Sequence, residues 1–529
     1  MRPRLLPLLA VAAIAVISVG DAPLAQAQTD TPRHGGTLRF VMKYEPPTLS
    51  SINNSATPLT SGKIFDGLIT YDFNLKPIPQ LATSWSLSPD GLTYTFKLRQ
   101  GVTWHDGKPF TSADAAFSIL RLKQGHPRGR GTFANVVEAR TPDANTLELV
   151  LSRPAPYLIS ALGPSESPIV PKHLYEGVDV AAPPGPPMLI GTGPFALKEW
   201  VRGSHVVLER NPTYWDKPKP YLDRVIIRFM TDAAARASAF EAGDLDLGSS
   251  APVPLADLPR FEQNPKFLVD RQNFAYTGAQ HQIFFNLETP VLQDKRVREA
   301  IAHALDLNRI VETVFYGAAM VSPSPISVAL TPFHDSTIKP RAFDVARAEK
   351  ILDEAGHARK ADGMRLQLRL LINPFIDSRL ADFVRQSLRR IGVDAVIQPR
   401  EFAAYVKTVY TDRTFDITIE SLQNTFDPTV GVQRGYWSKN FRAGLPFSNS
   451  ARYESPEADR LLEAAAVEID DGKRKALFRE FQQVVHRDIP SIDLISPLEV
   501  IIASRKLKNY ATGAEGVGGN FADAYFVSD

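Results

Sequence analysis

The stretch Leu81 to Lys123, LATSWSLSPDGLTYTFKLRQGVTWHDGKPFTSADAAFSILRLK, constrains the fold more than any other part of the 529-residue chain. Leu92, Tyr94, Phe96 and Leu98 fall on one side of an extended segment, and Thr93, Thr95, Lys97 and Arg99 on the other. A period of two marks a half-buried antiparallel strand. Asp90-Gly91 precedes this strand and Asp106-Gly107 follows it, and both dipeptides favour turns. Thr111-Ser112-Ala113-Asp114 then opens a helix, with Thr111 or Ser112 as N-cap and Asp114 in the first turn.

Residues 1–27 read as an export signal rather than as part of a fold. Arg2 and Arg4 give a basic start, Leu5 to Val19 is apolar, and Ala25-Gln26-Ala27 is a small-residue cleavage site. The apolar run is shorter than the roughly 20 residues a spanning helix needs. Pro3 between the two arginines excludes a twin-arginine signal. The expected product begins at Gln28 and is exported and soluble. The chain has no cysteine, so its stability rests on burial, which this length allows. A bacterial lipid anchor needs a cysteine after the signal, so free diffusion in a periplasm is the expectation.

Lys and Arg number 60 against 58 Asp and Glu, a formal charge of +2 that falls to +1 when Arg2, Arg4 and Asp21 leave with the signal. So weak a field does not gather nucleic acid or anionic lipid. The 42 prolines suit edge strands and turns better than a helical bundle.

Gly35-Gly36 turns into a first strand at Thr37 to Val41, and Leu147, Leu149 and Leu151 alternate in another. Pro183, Pro184, Pro186 and Pro187 around Gly185 form the clearest break in composition. Helical patterning dominates after Ala275. Val297, Ile301, Leu305 and Ile310 form one stripe, and Leu380, Phe383, Val384, Leu388 and Ile391 another. Gly392 stops the second helix, and Val393, Ala395 and Ile397 resume alternation. Helix, glycine, strand is the unit of an α/β sheet. Ser455-Pro456 caps the first of two further helices that run to Pro490, and Ile492 to Asn509 returns to strand-like runs.

Gly191-Thr192-Gly193-Pro194-Phe195-Ala196 matches G-x-G-x-x-A, yet a dinucleotide site needs a helix to start there. Strand material follows instead, so a nucleotide site is rejected. Gly163-Pro164-Ser165-Glu166-Ser167 fails the G-x-S-x-G pattern at its last position, and neither H-E-x-x-H nor a P-loop occurs. His105-Asp106 is the nearest approach to a catalytic pair, and its place beside a turn glycine assigns it a capping or solvated role. No catalytic residue, metal ligand or cofactor is expected.

The Leu81–Lys123 wording, together with GTGPF at Gly191–Phe195 and ERNPTYW at Glu209–Trp215, resembles the family 5 solute-binding proteins, the peptide and nickel receptors of bacterial ABC importers. The resemblance covers residues 34–529. It implies an α/β, two-lobe periplasmic binding protein of Venus-flytrap, class II-like type, with an extra inserted β-rich domain. Lobe I would take residues 28–56, 190–275 and 503–529, the insert 57–189, and lobe II 276–502. The implied function is capture of a peptide or peptide-like solute between the lobes by a monomer that delivers it to a permease and ATPase complex. A metal-chelate receptor, a ligand sensor for a membrane kinase and an exported hydrolase are the alternatives.

In peptide-binding relatives a loop after the first strand touches the ligand, which here points to Asn53, Asn54 and Ser55; a plain polar loop reads the same way. The family also keeps a strand that leads into Asp-Pro, here Phe415 to Pro428 with Glu420, Asn424, Thr425, Phe426 and Asp427. Peptide binders carry a carboxylate three residues before Asp-Pro for the ligand's α-ammonium. That position falls on Asn424 or Thr425, and neither is charged. A buried ammonium without a counter-ion is costly, so the cleft is expected not to take free dipeptides in the usual way. Arg434 is either a fork for a carboxylate or an exposed arginine, and Trp437 either a stacking surface or a structural side chain.

Overall fold

The computed structural model describes residues 31–53, 58–272, 274, 276, 278–441 and 443–527. Asn54, Ser55 and the export signal lie outside these residues.

Two mixed α/β sheets and one smaller antiparallel sheet organise the chain. The first has seven strands in the order Phe267–Gln272, Glu499–Ser504, Leu247–Gly248, Thr37–Met42, Arg224–Phe229, His205–Arg210 and Phe195–Val201. Thr37–Met42 runs parallel to both of its neighbours. The second has six, in the order Ala319–Val321, Ser491–Pro497, Ala279–Phe285, Ile417–Gln423, Leu366–Ile372 and Val393–Ile397. A four-stranded antiparallel sheet, Ala82–Leu87, Thr93–Leu98, Thr146–Leu151 and Val136–Asp143, forms the core of the β-rich insert. The chain is thus a two-lobe α/β protein with an inserted β-rich unit.

The chain passes from the seven-stranded sheet to the six-stranded sheet between Gln272 and Ala279. It returns between Pro497 and Glu499 with only Leu498 intervening. The Leu498 N–H is held by the Ala318 carbonyl at 3.0 Å. Two short adjacent crossings are the covalent requirement for a hinge.

Local chemistry explains the main elements. Tyr94, Phe96 and Leu98 are buried in the strand Thr93–Leu98 while Thr93, Thr95 and Lys97 lie at or near its surface. Gly91 and Gly107 stand at φ of +71° and +84°, where a side chain is strained. The helix Arg379–Arg390 buries Leu380, Val384 and Leu388 against the six-stranded sheet and stops at Gly392, whose φ is +78°. The stripe from Val297 to Ile310 is broken: Lys295–His303 and Leu307–Thr313 are separate helices, because Asp306 caps the second by accepting the Arg309 N–H.

The glycine motif at 191–193 has a packing role. A Cβ at Gly191 would overlap the Ile64 carbonyl, and the Gly193 N–H donates to that same carbonyl at 2.9 Å. The strand Phe195–Val201 follows, so no helix end faces this turn. His105 pins the same turn, its Nδ1 accepting the Gly191 N–H at 3.2 Å and its Nε2 lying 3.0 Å from the Gly193 carbonyl. Asp106 faces the surface with His173 at 2.7 Å. The His105-Asp106 pair is a structural clasp.

Asp114 ties the signature helix in two directions. Its Oδ2 accepts the Thr111 N–H and its Oδ1 the Lys172 N–H, both at 2.9 Å. Asp114→Ala should lower stability by about 1–2 kcal/mol, read as a fall in the urea midpoint. An unchanged midpoint would contradict this role of the cap.

Candidate functional site

The lobes meet over an apolar cluster without a break. Phe40 of the seven-stranded sheet, Tyr94 and Phe96 of the insert, and Phe426, Leu461 and Phe478 of the second lobe belong to one contiguous core. At its centre the Phe426 ring sits 4.7 Å from Tyr71 and 5.2 Å from Tyr276, centroid to centroid. Tyr71 ends the strand Ile69–Tyr71, which pairs with Pro77–Pro79, and Tyr276 lies in the first crossing. One aromatic side chain therefore touches both the strand Ile69–Tyr71 and the first crossing.

Beside this triad lies a buried ionic group. Arg128 grips Glu166 with two nitrogens, Nε to Oε1 at 2.6 Å and Nη2 to Oε2. The Tyr276 hydroxyl is 3.0 Å from Glu166 Oε2 and 3.1 Å from the Ser165 carbonyl. Burial alone would raise the Glu166 carboxyl, but the Arg128 charge and its hydrogen bonds reverse this and hold it down at about 2. His126, also buried, has Nδ1 occupied by the Gly129 N–H at 3.0 Å. Burial pushes His126 down to about 4, so it is neutral near pH 7.

The turn after Ile417–Gln423 is fixed by its own hydrogen bonds. Asn424 is fully buried and its Oδ1 accepts the Ser327 N–H at 2.7 Å. Thr425 has φ +53° and its hydroxyl donates to the Asn424 carbonyl at 2.7 Å. Asp427 accepts the Thr429 N–H at 2.8 Å and both terminal nitrogens of Arg474, at 2.6 and 2.7 Å. A Cβ at Gly431 would overlap the Asn424 carbonyl, so the chain must be bare there. Asn424 and Asp427 thus serve the turn, and of this segment Phe426 is the residue that reaches the other lobe.

Glu420 points away from Ser421, as strand alternation requires, into a pocket of hydroxyls and an amide. Tyr405 and Tyr410 donate to its Oε1, the latter at 2.6 Å, and Asn373 Nδ2 donates to Oε2 at 3.0 Å. Burial raises its carboxyl above the ordinary value, with these hydrogen bonds opposing the shift.

Arg434 differs from these satisfied groups. Its Nε donates to the Gly431 carbonyl at 3.0 Å and its guanidinium lies 5.5 Å from the Phe447 ring centre, yet it has no carboxylate partner among the described residues. Burial and the nearby Arg128 push it down to about 10, opposed by Tyr410, Glu166 and Glu420. Trp437, only three residues on, is committed to structure: its Nε1 donates to Glu463 Oε1 at 3.0 Å. Asn53 Nδ2 donates to the Ala182 carbonyl at 2.7 Å, tying its loop to the insert.

Sequence patterns singled out Phe426 and Arg434 but missed Arg128, Glu166, Tyr276, Tyr405 and Tyr410. Partners 38 and 110 positions apart leave no periodic trace. Ser165-Glu166-Ser167 stood out only as a failed nucleophile motif.

The family model described as bacterial extracellular solute-binding proteins, family 5 Middle, matches residues 76–444. A Brucella ovis protein with the provisional name of an ABC transporter peptide-binding protein is 28% identical over 475 residues, covering 86% of each chain. Among solved structures, NikA from Brucella suis in complex with Fe(III)-EDTA aligns with a TM-score of 0.82 at 25% identity, over 93% of this chain and 100% of its own. DppA from Helicobacter pylori in complex with the peptide STSA aligns at 0.80 and 25%, over 94% and 99%.

Glu166 yields a pH prediction. Its folded carboxyl lies below the ordinary value of 4.5, so the stabilisation is complete above about pH 4.5 and is lost as pH falls toward 2. Wild-type melting temperature should therefore fall more steeply from pH 5 to 3 than that of Glu166→Gln, which should start lower at pH 7. Parallel curves would contradict the assignment.

Proposed function

The chain belongs to the bacterial extracellular solute-binding proteins of family 5, and on that premise we propose that it is the periplasmic receptor of an ABC importer. It captures a peptide or peptide-like solute between its lobes and hands it to a membrane permease, whose ATPase partner supplies the energy. The receptor acts as a monomer. Residues 28–56, 190–275 and 503–529 make the first lobe, 57–189 its insert and 276–502 the second lobe.

The observation that carries this reading is the wedge of Phe426 between Tyr71 and Tyr276 beside two short crossings. Groups on both lobes converge there, so a solute held between them stabilises the shut form over the open one. The names of relatives agree: the Brucella ovis protein is assigned to peptide binding, and the Helicobacter pylori structure holds a peptide. Glu166, Glu420 and Asp427 are each held by donors of the protein itself, which favours holding a cargo over transforming it.

Receptor action predicts that a solute carried through purification raises the melting temperature when added back at micromolar concentration. Mass spectrometry should recover it unaltered after prolonged incubation. Recovery of a chemically changed product would overturn the receptor reading in favour of an enzyme.

A further inference from the structure

We infer that Asp493 is held as the neutral acid, donating its proton to Gln282 Oε1, and that this pair is a pH-sensitive lock beneath the two crossings. Its role at the hinge rests on the receptor reading.

The pair is set by strand register. Gln282 and Asp493 stand opposite one another on the strands Ala279–Phe285 and Ser491–Pro497, beside a bulge that follows His281. A bulge re-aims the side chains next to it. Gln282 is fully buried and Asp493 nearly so. Gln282 Nε2 donates to Asp493 Oδ1 and to the Tyr436 hydroxyl, the latter at 2.6 Å. The Tyr436 hydroxyl also meets Ser491 Oγ at 2.9 Å. Gln282 Oε1 is buried and has no hydrogen-bond partner among the described residues. A buried acceptor left unpaired is costly. A carboxylate has no proton to offer it. A carboxylic acid does: one oxygen accepts the amide N–H while the other donates to the amide oxygen, which closes a ring of two hydrogen bonds.

The surroundings favour the acid over the ion. Asp493 lines a cavity of about 20 Å³, room for about one water molecule. Arg341 and His486 line it too. Arg341 spends Nη2 on the His486 carbonyl at 2.6 Å, and Glu299 supports its charge. Burial pushes the His486 ring down to about 4, so it brings no charge near pH 7. Burial likewise pushes the Asp493 carboxyl up to about 7, against the hydrogen bonds of Gln282 and Tyr436 and the charge of Arg341.

The position gives the proton its effect. Ala279–Phe285 begins where the first crossing ends, and Ser491–Pro497 ends one residue before the second is complete. Tyr436 packs on Phe284 and Phe481, at 5.6 and 5.7 Å, within the core that both lobes share. Ionisation removes the bond to Gln282 Oε1 and sets a negative oxygen beside it. The strands that carry both crossings then loosen as pH rises. The unfolded chain ionises near the ordinary value of 3.8, so the stabilisation is complete below that pH and is lost as pH rises through 7.

Infrared spectra of the whole chain labelled with carbon-13 aspartate test the proton directly. The wild type should show a protonated aspartate at pH 6.5 that is gone by pH 9, and Asp493→Asn should lack it. Asparagine keeps a donor for Gln282 Oε1, so from pH 5 to 9 the wild-type melting temperature should fall by about 2 °C or more relative to this variant. Exchange of the backbone amides of both strands, corrected for the intrinsic rate, should rise at least about 5-fold from pH 6.5 to 9 in the wild type and stay level in Asp493→Asn. Absence of a protonated aspartate in the wild type at pH 6.5 would overturn the lock without any variant, as would parallel melting curves. Exchange that ignores pH while the proton is present would overturn its effect on the hinge. The receptor reading is judged separately, by whether the solute that co-purifies returns unaltered.

Discussion

The contact of Phe426 with Tyr71 and Tyr276 is the interaction on which the arrangement of the lobes depends. Its rings come from the insert side, the hinge and the second lobe, at 4.7 and 5.2 Å. Aromatic pairs at such distances contribute about 0.5–1.5 kcal/mol each beyond the area they bury. That is small enough for a hinge to open and large enough to bias it shut once a solute adds contacts. The rest of the turn serves this placement. Thr425 in the left-handed region, the Arg474 grip on Asp427 and the bare Gly431 together aim Phe426 across the gap.

The ionic group next to it sets the electrostatics of the gap. Arg128 and Glu166 neutralise one another, and the Tyr276 hydroxyl ties that pair to the hinge. Breaking such a pair leaves an uncompensated charge, which is more harmful than never having had the pair.

Much of the fold was legible because it rests on local rules. Alternation located Thr93–Leu98, the apolar stripe and Gly392 located Arg379–Arg390, and Ser455-Pro456 located the start of Pro456–Val467. The break near Asp306 was only half visible, since a capping aspartate and a continuous stripe compete in the same residues. The site was less legible. The segment leading into Asp427-Pro428 announced itself, but roles within it depend on partners far away, such as Ser327 for Asn424 and Arg474 for Asp427. Arg128 and Glu166 carried no signal, because charge pairing across 38 residues follows from folding and not from spacing.

The central claim is that the two lobes close on a solute about adjacent crossings. The absence of native cysteine permits spin labels at Val137→Cys on the insert and Val396→Cys on the six-stranded sheet, both exposed positions. Pulsed dipolar spectroscopy of protein stripped of its solute should show a long-distance population. That population should give way to a shorter one when the co-purifying solute is restored. A single distance that is the same with and without solute would contradict lobe closure and, with it, capture of the cargo between two moving lobes.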